Sequence, residues 1–235
     1  MPQSFSRNTA ELEAVLDYRF RNAVHLEEAL THKSYQHENT DISHSYNERL
    51  EFLGDSVLGL VVAETLFCIE QSFTEADMSK LKAYLVNRTV LHEIGSELQI
   101  GKYLRLGRGE ESTLGRQKQS ILANAVEALI GALFLDSDYP SAKRVILRLY
   151  GSRISEAVSK RAWYDYKSAL QERCQSEFGV LPEYYVVRQE GEEHRKIFTV
   201  EVFIKGEPSG CGVGRSKKDA QMAAAREALE QTWHE

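Results

Sequence analysis

Cysteine is scarce and scattered: Cys68, Cys174 and Cys211 are the only three in 235 residues. No CxxC pair occurs, which excludes a disulfide framework and a zinc ribbon and fits a reducing, cytoplasmic setting. No uninterrupted apolar run reaches the roughly eighteen residues of a membrane span. The best, Val57 to Phe67, contains Gly59 and Glu64, so no membrane partner is expected. Met1 to Asn8 holds no apolar block, and a secretory signal is not expected. A basic excess is missing too. The net charge is −6, with 18 basic against 22 acidic residues up to residue 160 and 11 against 13 beyond it. That balance alone argues against a nucleic-acid binder, so any basic surface has to be local. What is present, 42% hydrophobic and 27% charged residues, suffices for one large globular domain or two small ones.

The texture changes once along the chain. Residues 10–150 read as helices, with long apolar-periodic stretches at 47–70, 76–98 and 120–134. A polar, Gly-rich segment from Leu106 to Gln119 reads as a loop, and Pro140 opens a helix expected to end near Gly151. Past residue 163 the pattern is α-β-β-β-α. A helix over Asp165 to Phe178 is stopped by Gly179, and strands follow at Glu183 to Gln189 and Ile197 to Lys205. A turn at Gly206-Glu207-Pro208-Ser209 leads to a short strand, Gly210 to Gly214. Ser216 can cap a last helix, Lys217 to Thr232. An all-α block over 1–156, a linker over 157–163 and an α+β block over 164–233 result.

The chemistry concentrates in NERLEFLGDSVL, residues 47–58. On a helix Glu48, Glu51 and Asp55 fall within roughly a 60° arc, and Glu51 and Asp55 stand about 6 Å apart along the axis. Such carboxylates repel one another, and a hard divalent cation held by oxygen ligands offsets the repulsion. A solvated acidic stripe, relieved in part by Arg49, satisfies the same pattern. In ILANAVEALIGALFLD, residues 121–136, Asn124 and Glu127 share one face of a nearly apolar helix. Glu127 has no basic partner four residues away, so it needs a cation, hydrogen bonds or water. Glu75 precedes another helix, where it can stabilise the N-terminal dipole.

NERLEFLGD resembles the signature of the ribonuclease III family. ALTHKSY (29–35), EADMSKLKAYLV (75–86), LGRGE (106–110) and SILANAVEALIGALFLDSD (120–138) resemble its further blocks in the same order. The tail resembles a double-stranded-RNA-binding domain through KSALQE (167–172), GEEH (191–194) and GRSKKDAQMAAA (214–225). The resemblance implies an all-α endonuclease domain followed by a small α+β dsRNA-binding domain. It implies cytoplasmic hydrolysis of double-stranded RNA by Mg²⁺-activated water, with Mn²⁺ as a substitute and no small-molecule cofactor. The products would carry 5′-phosphate and 3′-hydroxyl ends with short 3′ overhangs, and the substrates would include precursors of ribosomal RNA and other structured RNAs.

Residue by residue, the resemblance puts the metal on Glu51, Asp55, Asn124 and Glu127. Asp55 and Glu127 would be catalytic, and Glu48 and Glu75 match two further acidic positions tied to substrate handling or assembly of the cleft. The family usually has Asp where this chain has Asn124, a neutral and weaker ligand. The alternative is therefore a cleavage-impaired dsRNA-binding regulator. Phe52 matches a position that plugs into the partner of a homodimer, although by pattern alone it reads equally as a core residue. His32 and His92 read as structural. In the tail, Gln171, Gln175 and His194 match contacts to the RNA minor groove, and Arg215, Lys217 and Lys218 match contacts to the intervening phosphates. Glu193 stands where many relatives carry a small residue or proline, which weakens the match of that loop. A helical interaction domain with a protein-binding tail explains neither the lysine pair nor the glutamine pair.

Overall fold

The computed structural model describes residues 9–39, 45–69, 73–160, 164–191 and 196–233. The chain falls into two compact units, Met1–Trp163 and Tyr164–Glu235. His194 lies outside the described residues.

Among its described residues the first unit is helices and turns, with one isolated parallel bridge between Thr31 and Arg105. Its helices are α1 (Ala10–Leu16), α2 (Ala23–Ala29), α3 (Lys33–Glu38), α4 (Glu48–Ile69), α5 (Glu75–Leu85), α6 (Arg88–Glu97), α7 (Arg108–Ser112), α8 (Gln119–Asp136) and α9 (Tyr139–Lys160). Helix α8 is the centre of the core, burying residues on every side, including Leu122, Val126, Leu129 and Leu133. Helix α4 buries a single stripe, Leu50, Gly54, Val57, Leu58, Val61, Val62 and Leu66. By length and composition both helices are apolar enough to cross a bilayer, contrary to the run-by-run reading of the sequence. The reading stopped at each Gly or Glu, whereas a helix averages over them. In α8 that apolarity serves the core, with 67% of its most apolar stretch buried.

Three boundaries in this unit differ from the sequence pattern. The stretch 76–98 is two helices rather than one. Asn87 ends α5, where its Nδ2 donates to Tyr84 O at 2.7 Å, and caps α6, where its Oδ1 accepts from Val90 N at 2.9 Å. The segment 106–119 is not a plain loop. It contains α7 and a 3₁₀ turn, tied by ion pairs from Arg116 to Glu111 and from Lys118 to Glu110. Helix α9 runs past Gly151 to Lys160, so residues 157–160 are helix rather than linker. Ile154 and Ala157 are buried, and their packing outweighs the small propensity cost of Gly151.

Asp136 closes α8 against the start of the chain. Its carboxylate accepts from Tyr18 Oη at 2.7 Å, Arg21 N at 2.7 Å and Asn22 N at 2.8 Å. Burial raises its pKa, but these three donors outweigh burial and hold it below the ordinary 3.8. Asp136→Ala strands three donors and should lower stability by about 3 kcal/mol in urea melts. The depressed pKa sets the sign of the pH dependence. The stabilisation is complete above pH 3.8 and is lost as pH falls through the folded value. An Ala variant whose stability difference from the parent stayed constant down to pH 2 would refute this role.

The second unit orders α10 (Tyr166–Phe178), β1 (Glu183–Glu190), β2 (Ile197–Ile204), β3 (Glu207–Gly214) and α11 (Lys217–Trp233). The strands form an antiparallel sheet in the order β1-β2-β3. Both helices contribute to one core, Leu170 and Cys174 from α10 meeting Ala220, Ala224 and Ala228 from α11 over Val200 and Val202. Gly212 has no room for a side chain, because a Cβ there would sit 2.2 Å from Ala224 N. The turn expected at 206–209 contracts to Lys205 and Gly206, both at positive φ, as a two-residue hairpin loop requires. Pro208 then lies within β3, tolerated on an edge strand at a register shift.

Candidate active site

The site is made by the crossing of α4 and α8. A Cβ on Gly54 would lie 1.8 Å from Glu127 O, and one on Gly131 would lie 2.3 Å from Leu50 O. The two backbones therefore touch. Glu51 and Asp55, on either side of Gly54 in sequence, share a cleft of about 590 Å³ with Asn124 and Glu127. Glu48 and Arg88 line the same cleft.

The electrostatics of this cleft are strained. Glu127 is pushed up to about 7, first by burial and then by the charges of Asp55 and Glu51, with Arg88 pulling the other way. Burial also raises Glu51. There the polar Asn124 side chain beside it opposes the rise, while Glu48 adds to it. Behind the cleft, Tyr150 is fully buried and its hydroxyl has no hydrogen-bond partner among the described residues. Its pKa is raised by burial and next by the charge of Glu127.

The donor set fits a hard divalent cation: three carboxylates and an amide, all oxygen donors, with one carboxyl pushed up to about 7 by burial and by its neighbours' charges. As the side chains stand, no three of the described His, Cys, Asp or Glu residues converge to enclose an ion. Like charges keep apart, so a cation here would draw them together and be completed by water or substrate oxygens.

The other acidic residues divide. Glu48 lines the cleft but is paired with Lys33 at 3.0 Å. Glu75 does not line it. It begins α5, beside the Thr74–Asp77 capping box, and accepts from Ser79 Oγ at 2.8 Å. His32 caps α3 through Nδ1, and His92 lies in α6 with Nδ1 buried and, among the described residues, unpartnered. Arg88 is the cleft residue that the motif reading missed. The one signal for it was Asn87, a capping residue inside an apparently continuous helical period.

Phe52 is 79% exposed, which excludes the reading as a core phenylalanine. Leu60 and Phe67 are also exposed, and fall within roughly 80° of Phe52 around α4. A neighbouring cavity of about 710 Å³ is lined by Phe52, His25, Glu28, Tyr46 and Leu135. In the second unit Gln171 and Gln175 are exposed one turn apart on α10. Arg215, Lys217 and Lys218 are exposed around the start of α11, which Ser216 caps by accepting from Asp219 N at 3.1 Å. Lys167, on α10, donates to Gln221 Oε1 on α11 at 3.0 Å.

Comparison with known proteins agrees with this division. A ribonuclease-III-like family profile matches residues 22–154, and a double-stranded RNA binding motif matches residues 166–232. Ribonuclease 3 of Syntrophotalea carbinolica is 44% identical over 225 residues, spanning 96% of this chain and 97% of that protein. Ribonuclease 3 of Thermobifida fusca is 47% identical over 203 residues, spanning 86% and 83%. The solved nuclease domain of ribonuclease III from Campylobacter jejuni, described as flexible in a region involved in dimer formation, is 42% identical. It superposes with a TM-score of 0.58 over 62% of this chain and 97% of that one.

Proposed function

Because the chain belongs to the ribonuclease III family of metal-dependent, double-strand-specific endoribonucleases, we propose that it hydrolyses the phosphodiester bonds of duplex RNA at the α4–α8 cleft with Mg²⁺. The observation that carries this reading is the convergence of Glu51, Asp55, Asn124 and Glu127 on one cleft, with Glu127 held near neutrality. Those four side chains would hold Mg²⁺, which supplies Lewis acidity at the phosphoryl oxygen and acidifies a water. Asp55 is the more exposed carboxylate, and Glu51 and Glu127 lie deeper. Gln171 and Gln175 would reach 2′-hydroxyls, while Lys217 and Lys218 with the α11 dipole would hold phosphates. Exposed Phe52, Leu60 and Phe67 support a homodimer through α4, and two clefts then cut the two strands with short 3′ overhangs. Ribosomal RNA precursors are the substrate class this predicts.

A long RNA duplex incubated with Mg²⁺, Mn²⁺ or chelator tests the reading. Cleavage with either ion and none with chelator is expected, leaving 5′-phosphate ends. Binding without cleavage under all three conditions would establish the second reading, a dsRNA-binding regulator. One observation favours that alternative: Asn124 lines the cleft but brings no charge to it.

That observation also yields a graded test. Asn124→Asp replaces a neutral amide by a charge facing the same cleft. The Coulomb gain toward a cation is several kcal/mol at an effective dielectric near 20, and dehydration cancels most of it. A net gain on the order of 1–2 kcal/mol should lower the Mg²⁺ needed for half-maximal cleavage about tenfold. Overlapping Mg²⁺ titrations for the two proteins would place residue 124 outside the ligand set.

A further inference from the structure

We propose that Arg88 is a phosphate-binding residue of the cleavage site, gripping the RNA backbone at or beside the phosphate that is cut. The inference rests on reading the cleft as a nuclease centre.

Its position is built by the helix break already described. Both ends of the Asn87 side chain are consumed in holding that break, and Arg88 becomes the first residue of the ten-residue helix α6. From there it lines the acidic cleft together with Val86 and Leu91 of its own segment. Continuation of α5 as one helix would have carried residue 88 around a different face. The break is thus what brings a cation to this edge of the site.

The guanidinium is exposed and, among the described residues, makes no hydrogen bond or ion pair. Other cations of this unit are paired: Lys33 with Glu48, Lys118 with Glu110 and Arg116 with Glu111. An arginine serving only to neutralise the carboxylates would close on one of them. Arg88 influences Glu51 and Glu127 through its charge yet pairs with neither. Its five donors stay available in a planar fork that matches two phosphoryl oxygens. The first-turn N–H groups of α6 add partial positive charge beside it. The cleft therefore has an acidic wall, from α4 and α8, and a cationic edge, from α6. A phosphodiester is the ligand that suits both, its oxygens toward Arg88 and its reacting face toward the carboxylates.

The test uses the full chain with Arg88→Gln and Arg88→Lys. The log–log salt dependence of duplex binding in chelator should flatten by about one unit for Gln and stay at the parental slope for Lys. Single-turnover cleavage at saturating Mg²⁺ should fall about 10–100-fold for Gln, with partial recovery for Lys, the usual loss for one charged contact of roughly 1.4–2.8 kcal/mol. Half-saturation by Mg²⁺ should not rise. If Arg88 merely offsets the carboxylates, Arg88→Gln will instead lower the Mg²⁺ requirement and leave the saturated rate and salt slope unchanged, which overturns the proposal. A parent protein that cleaves nothing refutes the nuclease reading separately, and the salt slope then still decides whether Arg88 meets phosphate.

Discussion

Glu127→Gln is expected to reduce cleavage of an RNA duplex at least about a thousandfold at saturating Mg²⁺, beyond the 10–100-fold that loss of an outer partner of a metal ligand costs. Duplex affinity should stay within about twofold, because the exposed Gln171, Gln175, Lys217 and Lys218 belong to the other unit. The substitution is nearly isosteric, so the α4–α8 crossing is retained. What disappears is the carboxyl that would turn its charge toward the cation from within the cleft.

The same variant carries a second signature that needs no metal. Burial and the charges of Asp55 and Glu51 raise Glu127 from 4.5 to about 7. A raised carboxyl pKa means that the folded chain keeps a proton the unfolded chain has released. The folded state is not penalised below pH 4.5 and loses stability progressively as pH rises toward 7. Since Glu127 retains partial contact with solvent, the loss is smaller than the full shift implies. In chelator, Glu127→Gln should therefore melt with the parent near pH 4 and several degrees above it at pH 8. A variant that melts below the parent at pH 8 would show that Glu127 has a stabilising partner and does not await a cation.

The acidic centre was legible because its spacing is a property of a single helix. Glu48, Glu51 and Asp55 share a face by arithmetic alone, and Asn124 with Glu127 do so on a second helix. That the two faces meet is not written in either segment. It follows from the absence of side chains at Gly54 and Gly131, and sequence spacing cannot show which glycines touch. Arg88 was illegible for a related reason. The apolar period runs through 76–98 without a fault, and only the hydrogen bonds of Asn87 break it.

The boundaries of the fold show the same division. The first two strands were readable from their β-branched and aromatic residues, with alternation in β2, and the last helix from Ser216, all local signals, whereas β3 starts at Glu207 and not at Gly210. The end of α9 was not, because Gly151 suggested a stop while the packing of Ile154 and Ala157 carries the helix on to Lys160. Phe52 was ambiguous in sequence, as any aromatic on an amphipathic helix is, until its exposure was known. Glu75 shares the acidic character of the cleft residues but heads a different helix and lines no part of the cleft.

Gly54→Ala is expected to be among the most damaging single substitutions in the helical unit, although it adds one methyl group. The added Cβ would lie 1.8 Å from Glu127 O and 2.9 Å from Gly131 N. These are backbone atoms of the most buried helix, so no flexible side chain can yield. Restoring ordinary contact needs a separation of α4 and α8 by more than about 1 Å, against a core packed at crystal-like density. Overpacking of this kind costs about 1–3 kcal/mol where side chains absorb it, and more where two backbones must part. The functional loss should be larger than the stability loss. Glu51 and Asp55 move with α4, whereas Asn124 and Glu127 stay with α8, so the four oxygen donors are pulled apart. A displacement of about 1 Å in a reacting constellation costs on the order of 100-fold in rate. Gly109→Ala is the control, because a Cβ there meets nothing within 4 Å. Urea melts and Mg²⁺ titrations of cleavage should show the control at the parental values. Gly54→Ala should be less stable by about 3 kcal/mol or more, and any folded fraction should need more Mg²⁺. If Gly54→Ala melts and cleaves as the parent does, the α4–α8 contact is not what assembles the site.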